Sequence, residues 1–153
     1  MHGHLASMLN ALLLVLVLAS PGVAQGQQPD LAGLWKTIGD RSGQADSLVR
    51  IVENNGEYVG VVVTVFSPPA ADANPVCALC RGELKDKPVV GMTILRGLRR
   101  QGDSYAGGAI LDPDDGDTYR CTVRLLESGR KLEMRGYIGL PIFGRTQVWI
   151  RAN

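Results

Sequence analysis

Three cysteines are the residues of this sequence with the most evident chemistry, and two of them form a CxxC pair. Cys77 and Cys80 lie in a proline-containing loop, and Cys121 lies further along the chain. Redox-active pairs usually lie at a helix N-terminus, where the helix dipole lowers the thiolate pKa, and no such helix is expected here. We therefore predict a Cys77–Cys80 disulfide that shapes the loop. A bridge from either cysteine to Cys121, three reduced thiols, and thiol–disulfide exchange by the pair remain alternatives.

Histidine-based catalysis is excluded from the mature chain, because His2 and His4 both lie in the N-terminal leader described below. This removes Ser-His-Asp and Cys-His nucleophiles as well as histidine-ligated metals. Three cysteines do not complete the four ligands of a zinc site. We predict neither a metal nor a cofactor.

The carboxylates of the sequence are not arranged for calcium binding or acid–base catalysis. The acidic segment 112–117 resembles a calcium loop, but Pro113 interrupts it, and Val123 stands where the bidentate glutamate is needed. This spacing favours a solvated turn. No pair of carboxylates is placed to share one cleft, so we predict no catalytic residue and favour a protein without enzymatic activity.

The first 24 residues predict a cleavable secretory signal peptide. Residues 11–19 form an unbroken apolar run, too short for the roughly 20 residues of a membrane-spanning helix. Gly22 and Ala24 occupy the −3 and −1 positions of a cleavage site, although the leader lacks the usual Lys or Arg. We expect one mature domain, residues 25–153, in the periplasm or secreted, with no membrane-spanning segment.

The charges of the chain nearly cancel, since 16 Lys and Arg residues stand against 15 Asp and Glu residues, a formal net charge of +1. A near-neutral chain has no electrostatic reason to bind nucleic acid or an anionic membrane surface. Partners held mainly by such charge attraction are therefore not expected.

Apolar residues alternate with a period of two along nearly all of the mature chain, which predicts β-strands joined by short turns. The predicted strands are 31–38, 47–53, 57–66, 90–100, 104–111, 118–127, 131–138 and 143–151. Such a meander must bury one apolar face per strand, and eight antiparallel strands achieve this by closing on themselves. We predict an all-β fold, a closed antiparallel up-and-down barrel of about eight strands.

The same alternation suggests which side chains face the interior. In segment 57–66 the valines at 59, 61, 63 and 65 form a wholly apolar face, opposite a mixed one. A barrel of this size is either filled by its own side chains or wide enough for one small ligand. The predicted ligand-lining residues of a hollow barrel are Val62, Tyr105, Tyr119, Cys121, Val123 and Met134.

Segment 67–88 is the one long connection of the predicted meander, and it contains Cys77 and Cys80. Loops of this length in compact domains are usually functional or disordered. The cysteines and several charged residues favour a structured cover that partly closes one mouth of the barrel.

Several segments together resemble a bacterial family known as a domain of unknown function, DUF family 2147. The matching segments are 33–37, 74–82, 86–88, 107–113, 119–121, 135–139 and 144–147, together with Trp149. The resemblance covers most of residues 32–151 and implies an exported bacterial protein with a lipocalin-like, or calycin-like, barrel. No substrate or catalytic residue is established for that family, so none is carried over.

The lipocalin resemblance also implies a structural role for particular residues. Gly33-Leu34-Trp35 is similar to the Gly-x-Trp of lipocalin first strands, whose tryptophan packs beside an arginine of the last strand at the closed end of the barrel. Either Arg145 or Arg151, which share a strand face with Trp149, would then pair with Trp35 in a cation–π contact.

The leading hypothesis is an exported, non-catalytic binding protein that holds a small apolar or amphipathic ligand inside the barrel. The alternative is an envelope protein-interaction module, whose barrel is solid and whose outer face or cysteine loop contacts another protein. A third hypothesis is thiol–disulfide exchange by Cys77 and Cys80.

Overall fold

Residues 28–66 and 75–152 are described by the structure, which is a computed structural model. The predicted signal peptide, residues 1–24, lies outside the described residues, as does part of the predicted cover, residues 67–74. The rest of that cover, residues 75–88, is described.

Eight antiparallel strands form a closed barrel in which each strand pairs with its neighbours in sequence. The strands are β1 (Gly33–Ile38), β2 (Ala45–Asn54), β3 (Glu57–Val65), β4 (Thr93–Gln101), β5 (Ser104–Leu111), β6 (Thr118–Leu126), β7 (Lys131–Tyr137) and β8 (Arg145–Arg151). The barrel closes where β1 pairs with β8, with Trp35 opposite Arg151. The predicted fold, a closed up-and-down barrel of eight strands, is confirmed.

The two ends of the barrel differ in how they are covered. At the closed end, β1 begins, β8 ends and short turns join the other strands. The opposite end, here called the loop end, carries segments 39–44, 75–92, 112–117 and 138–144. The helical elements of the described residues are three single 3-10 turns, Gly82–Leu84, Glu127–Gly129 and Pro141–Phe143. None of them has the length or apolar character to span a membrane.

Three predicted strands begin earlier than the observed ones, and each difference has a local cause. Before β1, Leu31 leaves the sheet and its N–H donates to the Tyr105 hydroxyl. Before β4, the chain makes a turn at Gly91, whose φ of +87° favours glycine. Before β8, Phe143 belongs to a 3-10 turn instead of the strand.

β3 buries its mixed face, and its row of valines faces outward. Tyr58, Gly60 and Val62 are buried, whereas Val63 is 37% exposed. Gly60 explains the orientation, because a Cβ at this position would lie 2.9 Å from the Cβ of Leu95. The absence of a side chain lets β4 pack closely against β3 inside the barrel. Val62, one of the predicted ligand-lining residues, thus lies on the buried face, opposite the row of valines.

The interior of the barrel is filled by its own side chains. Residues from β1, β2, β4, β6 and β7 have no accessible surface at all: Trp35, Val49, Leu95, Leu98, Cys121 and Leu132. A side chain with no accessible surface touches no gap large enough for a water molecule. Close packing of this kind is typical of protein cores, where few voids exceed the size of water.

Candidate functional site

The six predicted ligand-lining residues face inward but are spread along the whole barrel. Val62, Cys121, Val123 and Met134 lie in its middle, each at most 3% exposed, and Val123 pairs directly with Met134. They pack against one another and the rest of the core.

The two tyrosines of that set lie at opposite ends of the barrel, and each hydroxyl is already used. Tyr105 is buried at the closed end, where its hydroxyl accepts hydrogen bonds from Leu31 N–H and from Arg100 Nη2, at 3.2 and 2.9 Å. Tyr119 is half-buried at the loop end, where its hydroxyl donates to Asp115 at 2.6 Å. This bond, with burial and nearby carboxylates, raises the pKa of Tyr119 to about 12.

None of the six residues lines either of two surface depressions found among the described residues. One, of about 550 Å³, lies at the closed end beside Gln28, Asp30, Tyr58 and Arg100. The polar groups there bind each other: Tyr58 donates to Asp30 at 2.8 Å, and Arg100 Nη1 donates to Gln28 at 2.9 Å. This network fastens the segment before β1 to the barrel.

The second depression, of about 250 Å³, lies at the loop end between residues 77–87, called the disulfide segment after the Cys77–Cys80 bond, and the turn that joins β5 to β6. Its lining residues are Cys80, Arg81, Leu84, Leu111, Gly116, Asp117 and Thr118. Arg81 approaches Asp117 at 3.4 Å, with both side chains well exposed to water. An exposed pair of this kind contributes little stability.

Cys77 and Cys80 are joined by a disulfide with a Cα–Cα distance of 5.3 Å, which confirms the predicted bond. Both cysteines are buried, and Cys121 is a free, buried cysteine of β6. Around the bond, Cys77 N–H donates to the Lys87 carbonyl at 2.9 Å, and Cys77 O accepts from Asp86 N–H at 3.0 Å. Residues 77–87 thus form a compact unit held by both the disulfide and backbone hydrogen bonds.

At the closed end, Arg151 lies over the Trp35 ring, with its guanidinium carbon 4.2 Å from the ring centroid. The same guanidinium donates to the carbonyls of Gly129, Ala32 and Asp30 at 2.6, 2.9 and 2.5 Å. A Cβ at position 33 would collide with Arg151, so this contact needs a glycine there.

Arg145, the other arginine predicted as a possible partner of Trp35, lies at the opposite end of β8 from Arg151. It forms an ion pair with Asp40 at the loop end, far along the strand from Trp35. Trp149 is buried beside Leu132 of β7, and its Nε1–H donates to Gln147 at 3.3 Å.

The four most exposed large apolar side chains of the described residues lie on the connection between β7 and β8. Ile138, Leu140, Ile142 and Phe143 are 69%, 64%, 75% and 80% exposed. Residues 138–143 are called the apolar tip below. Contiguous exposed apolar residues of this size usually mark a site of interaction.

Sequence reasoning missed the apolar tip, although a signal was present. Turns between strands are normally rich in polar residues, whereas the run Ile-Gly-Leu-Pro-Ile-Phe at 138–143 contains none. The alternation pattern instead assigns Ile138 and Phe143 to strands and leaves only residues 139–142, with their glycine and proline, as a turn.

The comparisons with known proteins agree with this architecture. Protein HP1028 from the human pathogen Helicobacter pylori, described as belonging to the lipocalin family, matches with a TM-score of 0.69 and 24% sequence identity. The match covers 82% of this chain and 84% of that chain, and at this identity it shows a shared fold. No curated protein sequence matches the chain.

The model of a protein family described as "uncharacterized protein conserved in bacteria (DUF2147)" matches residues 33–151, which span all eight strands of the barrel. The match therefore covers well over half of the chain. This protein belongs to the DUF2147 family, and its barrel has the lipocalin-like fold.

Proposed function

We propose that this protein is a non-catalytic binding protein outside the cytoplasm, and that it binds an apolar partner at the loop end of a solid barrel. The observation that carries the proposal is the apolar tip, whose four large apolar side chains are exposed to water while others fill the interior. The disulfide supports a location outside the cytoplasm, because such bonds persist in oxidising compartments.

The exposed tip has a cost that argues for a function. Fully burying an Ile, Leu or Phe side chain stabilises a protein by roughly 1.5–3 kcal/mol. Four such residues at 64–80% exposure forgo much of this gain. Binding of an apolar partner would recover it.

A photo-crosslinking amino acid at position 142 tests the proposal in cells that export the protein. We expect an adduct with a cellular partner, and its loss when Leu140→Ser and Phe143→Ser are added. Val52, which is 46% exposed on β2, provides the matched control position on the barrel wall. Equal adducts from positions 142 and 52 would contradict the proposal.

Binding of a small apolar or amphipathic ligand inside the barrel is the second candidate, and the lipocalin-like fold is what favours it. Its difficulty is the packing of Val62, Cys121 and Val123, which a ligand would have to displace. Native mass spectrometry after incubation with fatty acids separates the two candidates. We expect the mass of the polypeptide alone, whereas a retained fatty acid would favour the interior site.

The burial of both disulfide cysteines argues against thiol–disulfide exchange. A thiolate must reach a sulfur to exchange with it, and Cys77 and Cys80 are only 0% and 3% exposed. We expect the bond of the folded protein to resist dithiothreitol and to be reduced readily in urea, as followed by alkylation and mass spectrometry. Rapid reduction of the folded protein would favour the exchange hypothesis.

A further inference from the structure

We propose that the apolar tip inserts into the interfacial layer of a lipid bilayer and so docks the barrel, loop end first, on a membrane surface. This inference rests on the proposed function and names its partner. The tip is a single connection between two adjacent strands, and Ile142 and Phe143 at its 3-10 turn are its most exposed residues.

Three backbone carbonyls of the tip, those of Leu140, Pro141 and Ile142, already have hydrogen-bond partners within the protein. The carbonyl of Leu140 accepts from Phe143 N–H at 3.1 Å, and that of Pro141 accepts from Gly144 N–H at 3.0 Å. Arg135 donates to the carbonyls of Pro141 and Ile142, at 2.7 and 3.2 Å. Backbone groups that enter lipid must be satisfied within the protein. A protein partner could supply these hydrogen bonds itself, but lipid chains could not.

The size and shape of the tip also fit a bilayer better than a protein. A stable protein–protein interface buries about 800 Å² on each partner, commonly from 20–30 residues. The tip is one six-residue connection with four large apolar side chains. A few such side chains inserted at the headgroup boundary are typical of interfacial anchors, whose strength follows the apolar area buried.

Two exposed arginines lie close in the barrel to the ends of the tip: Arg145 begins β8, and Arg120 contacts Tyr137 at the end of β7. Arg120 and Arg145 are exposed, with the Arg120 guanidinium 5.9 Å from the Tyr137 ring and Arg145 paired with Asp40. Phosphate is common to zwitterionic and anionic lipids. Because the net charge of the chain is only +1, we expect the apolar side chains to supply the affinity.

The acidic turn 112–117 belongs to the same end, and several of its carboxylates are already engaged. Asp112 and Asp115 each accept a backbone N–H of the turn, at 3.0 and 2.8 Å. Asp115 also accepts from Tyr119, and Asp117 pairs with Arg81. Of these contacts, the ion pair of Asp117 with Arg81 offsets one negative charge of the turn.

Co-sedimentation with phosphatidylcholine vesicles tests the inference. The exported protein is used, with its N-terminus checked by mass spectrometry, because an uncleaved apolar run at 11–19 would itself bind lipid. We expect the wild type to sediment with vesicles and Ile142→Ser/Phe143→Ser to lose at least about tenfold in partition coefficient. Val52→Ser is the matched control and should bind as the wild type does.

A second variant reports insertion directly. In Phe143→Trp, we expect the tryptophan emission to shift to shorter wavelength when vesicles are added, whereas the buried Trp35 and Trp149 of the wild type should show no shift. Thermal unfolding of each variant checks folding, and exposed positions should tolerate these changes. Binding should persist at high salt.

Three results would overturn the inference: no sedimentation of the wild type, equal sedimentation of the tip variant, or binding that needs anionic lipid and disappears in salt. If position 142 instead forms a tip-dependent adduct with a protein and the vesicles bind nothing, the bilayer is wrong but the proposed binding function stands. If neither vesicles nor adducts depend on the tip, both proposals fail.

Discussion

Arg151 connects three parts of the chain at the closed end of the barrel: β1, the segment before it, and the turn before β7. Its guanidinium combines a cation–π contact with Trp35 and three hydrogen bonds to carbonyls. Hydrogen bonds from charged donors contribute roughly 1.5–3 kcal/mol each, and their effects are not additive. The residue thus supports both the segment before β1 and the strand that closes the sheet.

We expect Arg151→Ala to lower the free energy of unfolding by about 2–4 kcal/mol in urea denaturation. The free energy of unfolding of Arg151→Lys should lie between those of the wild type and Arg151→Ala, because the lysine ammonium keeps the charge but cannot reach three carbonyls together. Arg124→Ala is the control, since its exposed pair with Glu133 should be worth less than about 1 kcal/mol. Equal losses for Arg151→Ala and Arg124→Ala would contradict the structural role.

Burial raises the pKa of the Cys121 thiol to about 12, from an ordinary value of 9.0. The unfolded chain therefore releases the thiol proton at a lower pH than the folded protein does. The contribution of the protonated thiol to the free energy of unfolding is therefore complete below about pH 9. It is lost as the pH rises from 9 towards 12. Between pH 8 and 10 the wild type should lose about 1 kcal/mol more than Cys121→Ala. Parallel pH profiles in urea denaturation would show that the thiol is not buried in this way.

The roles of single residues could be predicted where the residue type and its spacing allowed few alternatives. They stayed ambiguous where the position along a strand decides the contact. The spacing of Cys77 and Cys80 favoured the bond that forms, with Cys121 left free. Arg145 and Arg151 have the same residue type and strand face, so the sequence left both as partners of Trp35. Only the strand directions and ends separate them, since β8 reaches the closed end at Arg151.

At the level of the elements, all eight strands were predictable from alternation, but the inward face of β3 was not. One of its faces is a row of valines and the other is a mixed row that also contains apolar residues. Which of them faces inward depends on the close contact of Gly60 with Leu95 of β4. Such a contact between separate strands has no signature in the local pattern. The apolar tip is the opposite case, because its glycine and proline are a clear local turn signal, and that signal carries no information about the exposure of the apolar side chains beside them.

The turn between β5 and β6 supports the disulfide segment through a close backbone contact. A Cβ at Gly116 would lie 2.2 Å from the Leu79 carbonyl oxygen, and its φ is +75°. Gly102 has a φ of +61° but open space around it. Alanine substitution at Gly102 therefore tests backbone strain alone, whereas at Gly116 it adds a steric collision with Leu79.

We expect Gly102→Ala to cost about 1–2 kcal/mol from the positive φ alone, and Gly116→Ala to cost about 1–3 kcal/mol more. Hydrogen exchange should show that Gly116→Ala loosens residues 77–87 while the strands stay protected. Similar stability and exchange in the two variants would show that the disulfide segment does not rest on this turn.

The molecule as a whole is a closed sheet around a packed core, and substitutions in that core should be costly. Leu98 has no accessible surface and lies close to Gly108 of the next strand. Leu98→Ala should lower the free energy of unfolding by about 2–5 kcal/mol, measured with urea. Val148→Ala on the outer face of β8 should change it by about 0.5 kcal/mol or less. A small loss at Leu98 would indicate a loosely filled interior.

The contact between Arg151 and the Asp30 carbonyl brings the two described extremities of the chain together at the closed end. Ala152 is held there as well, by a hydrogen bond from its N–H to Leu34 O. A fusion partner or biosensor surface attached beyond either extremity would therefore sit opposite residues 138–143. Immobilising the protein in this orientation leaves that region facing solution, where candidate partners can be passed over it.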